Sequence, residues 1–186
     1  METAARRPVT HTKRAGASSR RFVIWLAALC AHATYSRAAA AVVYVNAAAT
    51  GGNDGSSWVN AYTSLPSALT AANSGDEIWV ASGTYRPTTT TNRDVSFPLK
   101  NGVGTYGGFL GTETLRSQRD PAANVTILSG DIGTPGSSSD NSYHVVTADS
   151  TVTASTVLDG FTITGGNANG LSASNQDRGG GMWVNA

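Results

Sequence analysis

Residues 157–166 read VLDGFTITGG. Two short apolar pieces meet at an Asp-Gly corner, and a Gly pair turns the chain again. Asp and Gly favour tight turns, because Asp bonds its own backbone and Gly adopts conformations closed to other residues. In the alternation of a strand, Phe161 and Ile163 share one face and Thr162 and Thr164 the other. The stretch predicts a bent pair of strands with Phe161 and Ile163 turned inward.

Outward from this corner the same kind of piece recurs. EIWVA (77–81), VSFPLK (95–100), VGTYGGF (103–109), VTILSG (125–130), YHVVTA (143–148) and GMWVNA (181–186) are short, apolar and β-branched or aromatic, with turn-rich segments between them. Ile127, Val146, Ile163 and Trp183 are separated by 19, 17 and 20 residues, and Val80 and Leu99 by 19. Hairpin loops are usually about two to five residues, shorter than several of these intervals. The spacing therefore predicts a parallel solenoid in which each winding of about twenty residues stacks on the last at roughly 4.8 Å. Residues 76–186 would supply about five coils. The final GGGMWVNA reads as the start of a further coil, with Met182 or Trp183 entering the core, so further coils of the same chain are an expected partner.

Ahead of the coils, VVYVN (42–46) reads as a first strand and AAATGGNDGSSW as a loop. The one helix signal lies at 64–72. Ser64 is placed to cap it, Pro66 suits an early helical position, and Leu65, Ala68, Leu69 and Ala72 fall at i, i+3, i+4 and i+7. A helix of two to three turns needs an apolar surface to lie on. The expectation is a capping helix over the open end of the solenoid, with packing on its side as the alternative. The domain division expected is a leader at 1–41, a strand, loop and capping helix at 42–75, and coils at 76–186, truncated at the C-terminal end.

The leader follows from charge and hydropathy. Residues 1–21 carry six of the chain's thirteen Lys and Arg, and FVIWLAALCAHA (22–33) then gives an apolar stretch of twelve. A basic segment, a short apolar segment and small residues before Ala41 make a secretory signal peptide, and the apolar stretch is too short for a permanent membrane span. Cleavage after Ala33 or within Ala38–Ala41 would remove Cys30, the chain's single cysteine, and with it any disulfide or thiol chemistry. Residues 42–186 hold six basic and eleven acidic side chains, about −5, so nucleic acid is not an expected partner. The expected location is outside the cell or on its surface, in association with an outer membrane.

The segments YVNAAATGGNDGSSWVNAYTSLPSALTAANSGDEIWVASGTY, FPLKNGVGTYGGFLGTE, VTILSGDIG and VLDGFTITGGNA, taken in order, resemble the start of bacterial secreted proteins of the right-handed parallel β-helix, pectin lyase-like class. They are also similar to the repeat region of chlamydial polymorphic outer membrane proteins and related adhesin-like surface proteins. The resemblance spans residues 44–186. It implies an all-β fold, a right-handed parallel β-helix solenoid with a short N-terminal capping helix. It also implies a non-enzymatic, exported, adhesin-like segment that meets a cell-surface glycan or a host or matrix surface. The alternative it implies is the N-terminal part of a polysaccharide lyase or glycoside hydrolase acting on acidic glycans.

The residues themselves carry little chemistry. Hydrolases need two carboxylates at a set separation. The candidates are Asp131, Asp149, Asp159 and Asp177, with Arg178 as the nearby base, but Asp131, Asp159 and Asp177 recur at 28 and 18 and keep no register. Asp131 and Asp159 adjoin Gly130 and Gly160 and read as turn formers. Calcium between coils lacks any recognised loop pattern. His144 stands alone, and the Gly107–Gly108 and Gly179–Gly181 runs lack the context of a phosphate loop. Trp58, Tyr62, Trp79, Tyr85, Tyr106 and Trp183 would stack on sugars only if several faced outward. No catalytic residue, metal ligand or cofactor is assigned.

Overall fold

The computed structural model describes Met1 and residues 40–185. The expected leader, including Cys30 and all but its last two residues and Met1, lies outside the described residues. Ten strands and one helix follow one another as β1 (Val42–Val45), α1 (Leu65–Ala71), β2 (Glu77–Ala81), β3 (Gly83–Tyr85), β4 (Phe97–Pro98), β5 (Gly104–Phe109), β6 (Thr126–Ser129), β7 (Val146–Ala148), β8 (Val157–Asp159), β9 (Phe161–Thr164) and β10 (Met182–Val184). They form three separate sheets, ordered β1-β2-β5-β8, β3-β6-β9 and β4-β7-β10. Every pairing is parallel.

The pairings correct the expected fold. Val42 pairs with Glu77, Glu77 with Gly104 and Gly104 with Val157, the last of these steps enclosing nearly double the chain of the one before it. In the second sheet Gly83 pairs with Thr126 and Thr126 with Phe161, and in the third Phe97 pairs with Val146 and Val146 with Met182. No constant winding exists. The interval near twenty is the step from one sheet to the next, since Ile127 and Ile163 belong to the sheet of β6 and β9 while Val146 and Trp183 belong to that of β7 and β10. The all-β, right-handed parallel β-helix solenoid of five equal coils is therefore replaced by a mixed α/β domain. It has one helix and three small parallel sheets around a common core.

The helix lies in that core. Leu65, Ala68, Leu69 and Ala72 are buried with Val45, Ile78, Val80, Tyr85, Phe97, Val103, Leu128, Val145 and Val146. α1 touches β1, β2 and β4. Its short stripe thus meets strands of two sheets, which offsets the instability of a seven-residue helix in water. Ser64 occupies the N-cap position but makes no side-chain cap bond. The opening stretch behaves as its alternation requires: Leu158, Phe161 and Ile163 pack against the core, while Thr162 and Thr164 are exposed.

β2 is covered on both faces, which alternation alone would not suggest. Ile78 and Val80 face the core, and Trp79, only 4% exposed, stacks on Phe109 at 4.8 Å with 11° between the rings. Tyr44 and Trp58 complete the cluster. Tyr44, Trp79, Tyr106 and Asp159 form one cross-sheet row, and an extra residue at Gly107–Gly108 bulges β5 beside it. A β-carbon on Gly107 would sit 2.4 Å from the Gly160 carbonyl oxygen, so the strands approach too closely there for any side chain.

The chain after β5 holds the cluster in place through Glu113. Its carboxylate accepts from the backbone N–H groups of Leu110, Gly111 and Thr112 at 2.6, 3.0 and 2.9 Å, and its carbonyl accepts from the Trp58 indole at 2.8 Å. Partial burial pushes the Glu113 carboxyl up, but these N–H groups together hold it below the usual range. A depressed folded value stabilises the protein above the ordinary Glu value of about 4.3, and that contribution is lost as pH falls through the folded value. Glu113→Gln should therefore flatten the acid limb of a stability-against-pH curve below about pH 5. Urea midpoints measured from pH 3 to 7 check this, and an unchanged slope between wild type and variant would contradict it.

Candidate functional site

The third sheet places the site. Phe97, Val146 and Met182 share its inward row, so their neighbours Pro98, Thr147 and Trp183, also in register, face outward. These three floor a depression of about 290 Å³. Ser96, one residue before β4, bonds its hydroxyl to that of Thr147 at 2.8 Å. His144, ahead of β7, stacks on Trp183 with centroids 5.4 Å apart and 23° between the rings. Its Nδ1 lies 3.2 Å from the Gly179 carbonyl oxygen. A carbonyl only accepts, so Nδ1 carries the hydrogen and Nε2 remains for another partner.

Two carboxylates border the floor. Asp94 accepts from the Gln176 amide at 2.6 Å, which ties the segment before β4 to the loop before β10. Asp149, just after β7, accepts from the hydroxyl and the backbone N–H of Thr151, and these bonds hold its carboxyl below the usual range. No Lys or Arg is among the residues that line the depression. The arrangement presents negative charge beside two stacked rings.

A polar network backs this wall. Arg93 donates to the Asn141 carbonyl at 2.6 Å, the Asn167 carbonyl at 2.9 Å and the Asn169 side chain at 2.6 Å, and its guanidinium lies 4.0 Å above the Tyr143 ring. The Tyr143 N–H returns a bond to the Arg93 carbonyl at 2.9 Å. Arg93 and Tyr143 directly precede Asp94 and His144, so the network sets where both stand. Beside it, Asp140 Oδ1, Asn141 Oδ1 and Ser142 Oγ are buried with no hydrogen-bond partner among the described residues, which is costly for polar oxygens.

The residues singled out from sequence are scattered. Asp131 accepts from the Gly136 N–H at 3.0 Å, and its carbonyl from Arg86 at 2.6 Å. Asp177 pairs with Ser172 and Arg178. Asp159, expected to bond its own backbone, instead forms an ion pair with Arg119, beside Gly160 at φ +81°. Arg116 and Arg119 lie over the Tyr106 ring, and Arg116 pairs with Glu77. Trp58 and Trp79 belong to the packed cluster, and buried Tyr85 donates to the Ala81 carbonyl. Of the sequence candidates His144, Asp149 and Trp183 meet at the depression. Trp183 lines the depression instead of entering the core, and Met182 is 38% exposed.

Sequence reasoning passes over Asp94, Ser96, Thr147 and Gln176. Strand alternation around buried Phe97 and Val146 is the available signal for Ser96 and Thr147. Nothing in the sequence joins Asp94 to Gln176, 82 positions away.

No protein-family model, curated protein or solved structure matches the chain.

The resemblance to pectin lyase-like β-helix proteins and polymorphic outer membrane proteins is thus corrected, since no match supports it and the sheets follow no regular winding. Among the described residues there are no repeating coils and no glycan-binding groove. The three sheets close on one core. The adhesin-like segment, the lyase or hydrolase alternative, and the glycan, matrix-surface and further-coil partners fall with it. The purely structural, non-enzymatic reading is corrected as well, because a polar depression backed by the Arg93 hydrogen-bond network and by buried polar oxygens is a candidate functional site.

Proposed function

We propose that the domain binds a small organic cation, an amine or guanidinium compound, on the outer face of the β4-β7-β10 sheet. One observation carries the reading: Trp183 and His144 stack in a depression bordered by Asp94 and Asp149 and lined by no Lys or Arg. A cation gains from the face of an indole and from charge-assisted bonds to carboxylates, while an anion would be repelled. The volume is at the small end of ligand sites, which are typically about 300–1,000 Å³. Ser96 and Thr147 supply hydroxyls that orient a polar group on the floor.

The test is calorimetric titration with agmatine, spermidine and choline, with glutamate as the anionic control, on wild type and Asp149→Asn. At least one cation should bind and glutamate should not. Loss of this exposed charged partner should weaken that cation by about threefold in the variant. Failure of every cation to bind, or equal affinity for Asp149→Asn, would overturn the reading.

A further inference from the structure

A second cavity, of about 470 Å³, lies beside β3 and shares no lining residue with the depression on the β4-β7-β10 sheet. Tyr85 is buried in the core, so alternation turns its neighbours Thr84 and Arg86 outward, where both are exposed. Thr88 and Thr89 follow on the same segment, and Thr63 and Ser64 come from the turn before α1. Five aliphatic hydroxyls and one guanidinium thus meet at one cavity, and no Asp or Glu is among the residues that line it.

Arg86 differs from the other bases of the described domain. Arg116, Arg119 and Arg178 pair with carboxylates, Arg93 is spent on carbonyls beside the Tyr143 ring, and Lys100 donates to the Thr70 carbonyl. Arg86 has no carboxylate partner among the described residues, and its one hydrogen bond there runs from Nε to the Asp131 carbonyl at 2.6 Å. That bond anchors the guanidinium by one corner and leaves both Nη groups uncommitted. The acids of the adjoining loop are turned to its backbone: the Asp131 carboxylate accepts from the Gly136 N–H at 3.0 Å, and Asp140 Oδ2 from the Thr134 N–H at 2.7 Å. The Ser64 side chain makes no cap bond, and Thr89, like Thr84, stands exposed, so their hydroxyls add to the donors on offer.

The geometry points to an anion site here, for a small phosphate monoester held by the Arg86 fork and the hydroxyls of Ser64, Thr84 and Thr89. A guanidinium forks two oxygens of a phosphate or a carboxylate equally well. The number of oxygens separates the two. A carboxylate presents two, which the fork alone satisfies, whereas a phosphate monoester presents three in a tetrahedron and uses the hydroxyls of the other segments as well. The volume holds a phosphate with a small organic group attached. The domain's charge of about −5 opposes any anion, so a cavity whose lining joins a base to donors without an acid is where one would bind, with millimolar affinity. The cation site and this one carry opposite charge preferences on separate residues, and either stands without the other.

Amide chemical-shift titration of the full chain tests this, with inorganic phosphate and methyl phosphate as probes and acetate at matched ionic strength as the control. Both phosphates should give saturating shifts at Thr84, Arg86, Thr88 and Thr89 in the millimolar range, and acetate should give none. Arg86→Gln, whose amide can still donate to the Asp131 carbonyl, and Thr84→Val, which keeps the side chain's shape, should each weaken phosphate by about threefold with circular dichroism unchanged. If Arg86→Gln loses its fold, Thr84→Val decides in its place. Phosphate shifts that do not saturate by tens of millimolar, shifts confined to Arg116 and Arg119, acetate binding as tight as phosphate, or wild-type affinity in the deciding variant would each overturn the inference.

Discussion

Phe97→Ala should be among the most destabilising single changes in the domain, costing about 3–5 kcal/mol. Phe97 is 1% exposed and packs in the cluster shared by the helix and all three sheets. β4 has only two residues, and the backbone bonds that hold it, Phe97 N–H to Val145 and Leu99 N–H to Thr147, are both 2.8 Å. So short a strand is positioned by its side chain more than by its ladder. The urea midpoint should fall sharply with the slope unchanged, while Phe97→Leu, closer in volume, should cost under about 1.5 kcal/mol. Because Ser96 and Pro98 flank Phe97 and line the depression, the alanine variant should also lose cation binding before it unfolds. A shift below about 1 kcal/mol would mean that β4 is held by something other than this ring.

The second large effect is expected at Arg93. Its guanidinium reaches two segments distant in sequence, one at Asn141 and one at Asn167 and Asn169, and lies on Tyr143. Arg93→Met keeps most of the aliphatic stem and leaves two carbonyls and an amide oxygen without their charged donor. Bonds to charged groups are worth about 1.5–3 kcal/mol and are not additive, so about 3 kcal/mol is expected in total. Arg93→Lys should not restore it, because one ammonium cannot reproduce the planar fork. Amide exchange separates this from a general loss of packing. The Tyr143 N–H, bonded to the Arg93 carbonyl, should lose protection before core amides such as that of Ile78. Equal loosening of both would place the effect in the core instead of the network.

Much of the local structure is legible in the sequence. EIWVA is β2 residue for residue, the stripe from Leu65 to Ala72 enters the core, and the faces of Phe161 and Thr162 follow their alternation. These are effects of near-neighbour spacing, where backbone geometry dictates which side chains share a face. The architecture is not legible in the same way, because apolar spacing does not say which sheet a strand joins. A step between neighbouring sheets has the same appearance as a full winding, and only distant pairings such as that of Gly104 with Val157 separate the two.

The site is harder still. Turn chemistry correctly suggests that Asp131 bonds backbone, yet it also suggests this for Asp159, whose partner Arg119 arrives from 40 positions away. Hydrophobicity leaves Met182 and Trp183 as alternatives for the core, and the register gives the inward position to Met182. Asp94, His144, Asp149 and Gln176 come together only through the β4–β7–β10 pairing and the loop that carries Gln176. No local pattern in the chain encodes that meeting.

The unequal steps between paired strands also bear on how the domain forms. A loop must close before its strands gain any bond, and the cost rises with the length enclosed. The pairing of Glu77 with Gly104 joins β2 to β5 across the shortest intervening chain of any strand pair among the described residues, whereas the pairing of Gly104 with Val157 makes β5 wait for β8 across a far longer one. Folding should thus begin at the end bearing the helix and travel toward β8, β9 and β10, with a slow overall rate set by distant parallel contacts. Among the described residues β8, β9 and β10 each stand at the edge of their sheet, and they carry one ionisable side chain, Asp159. During synthesis and refolding, that sparsely charged edge is where an unfinished molecule is most prone to join another prematurely.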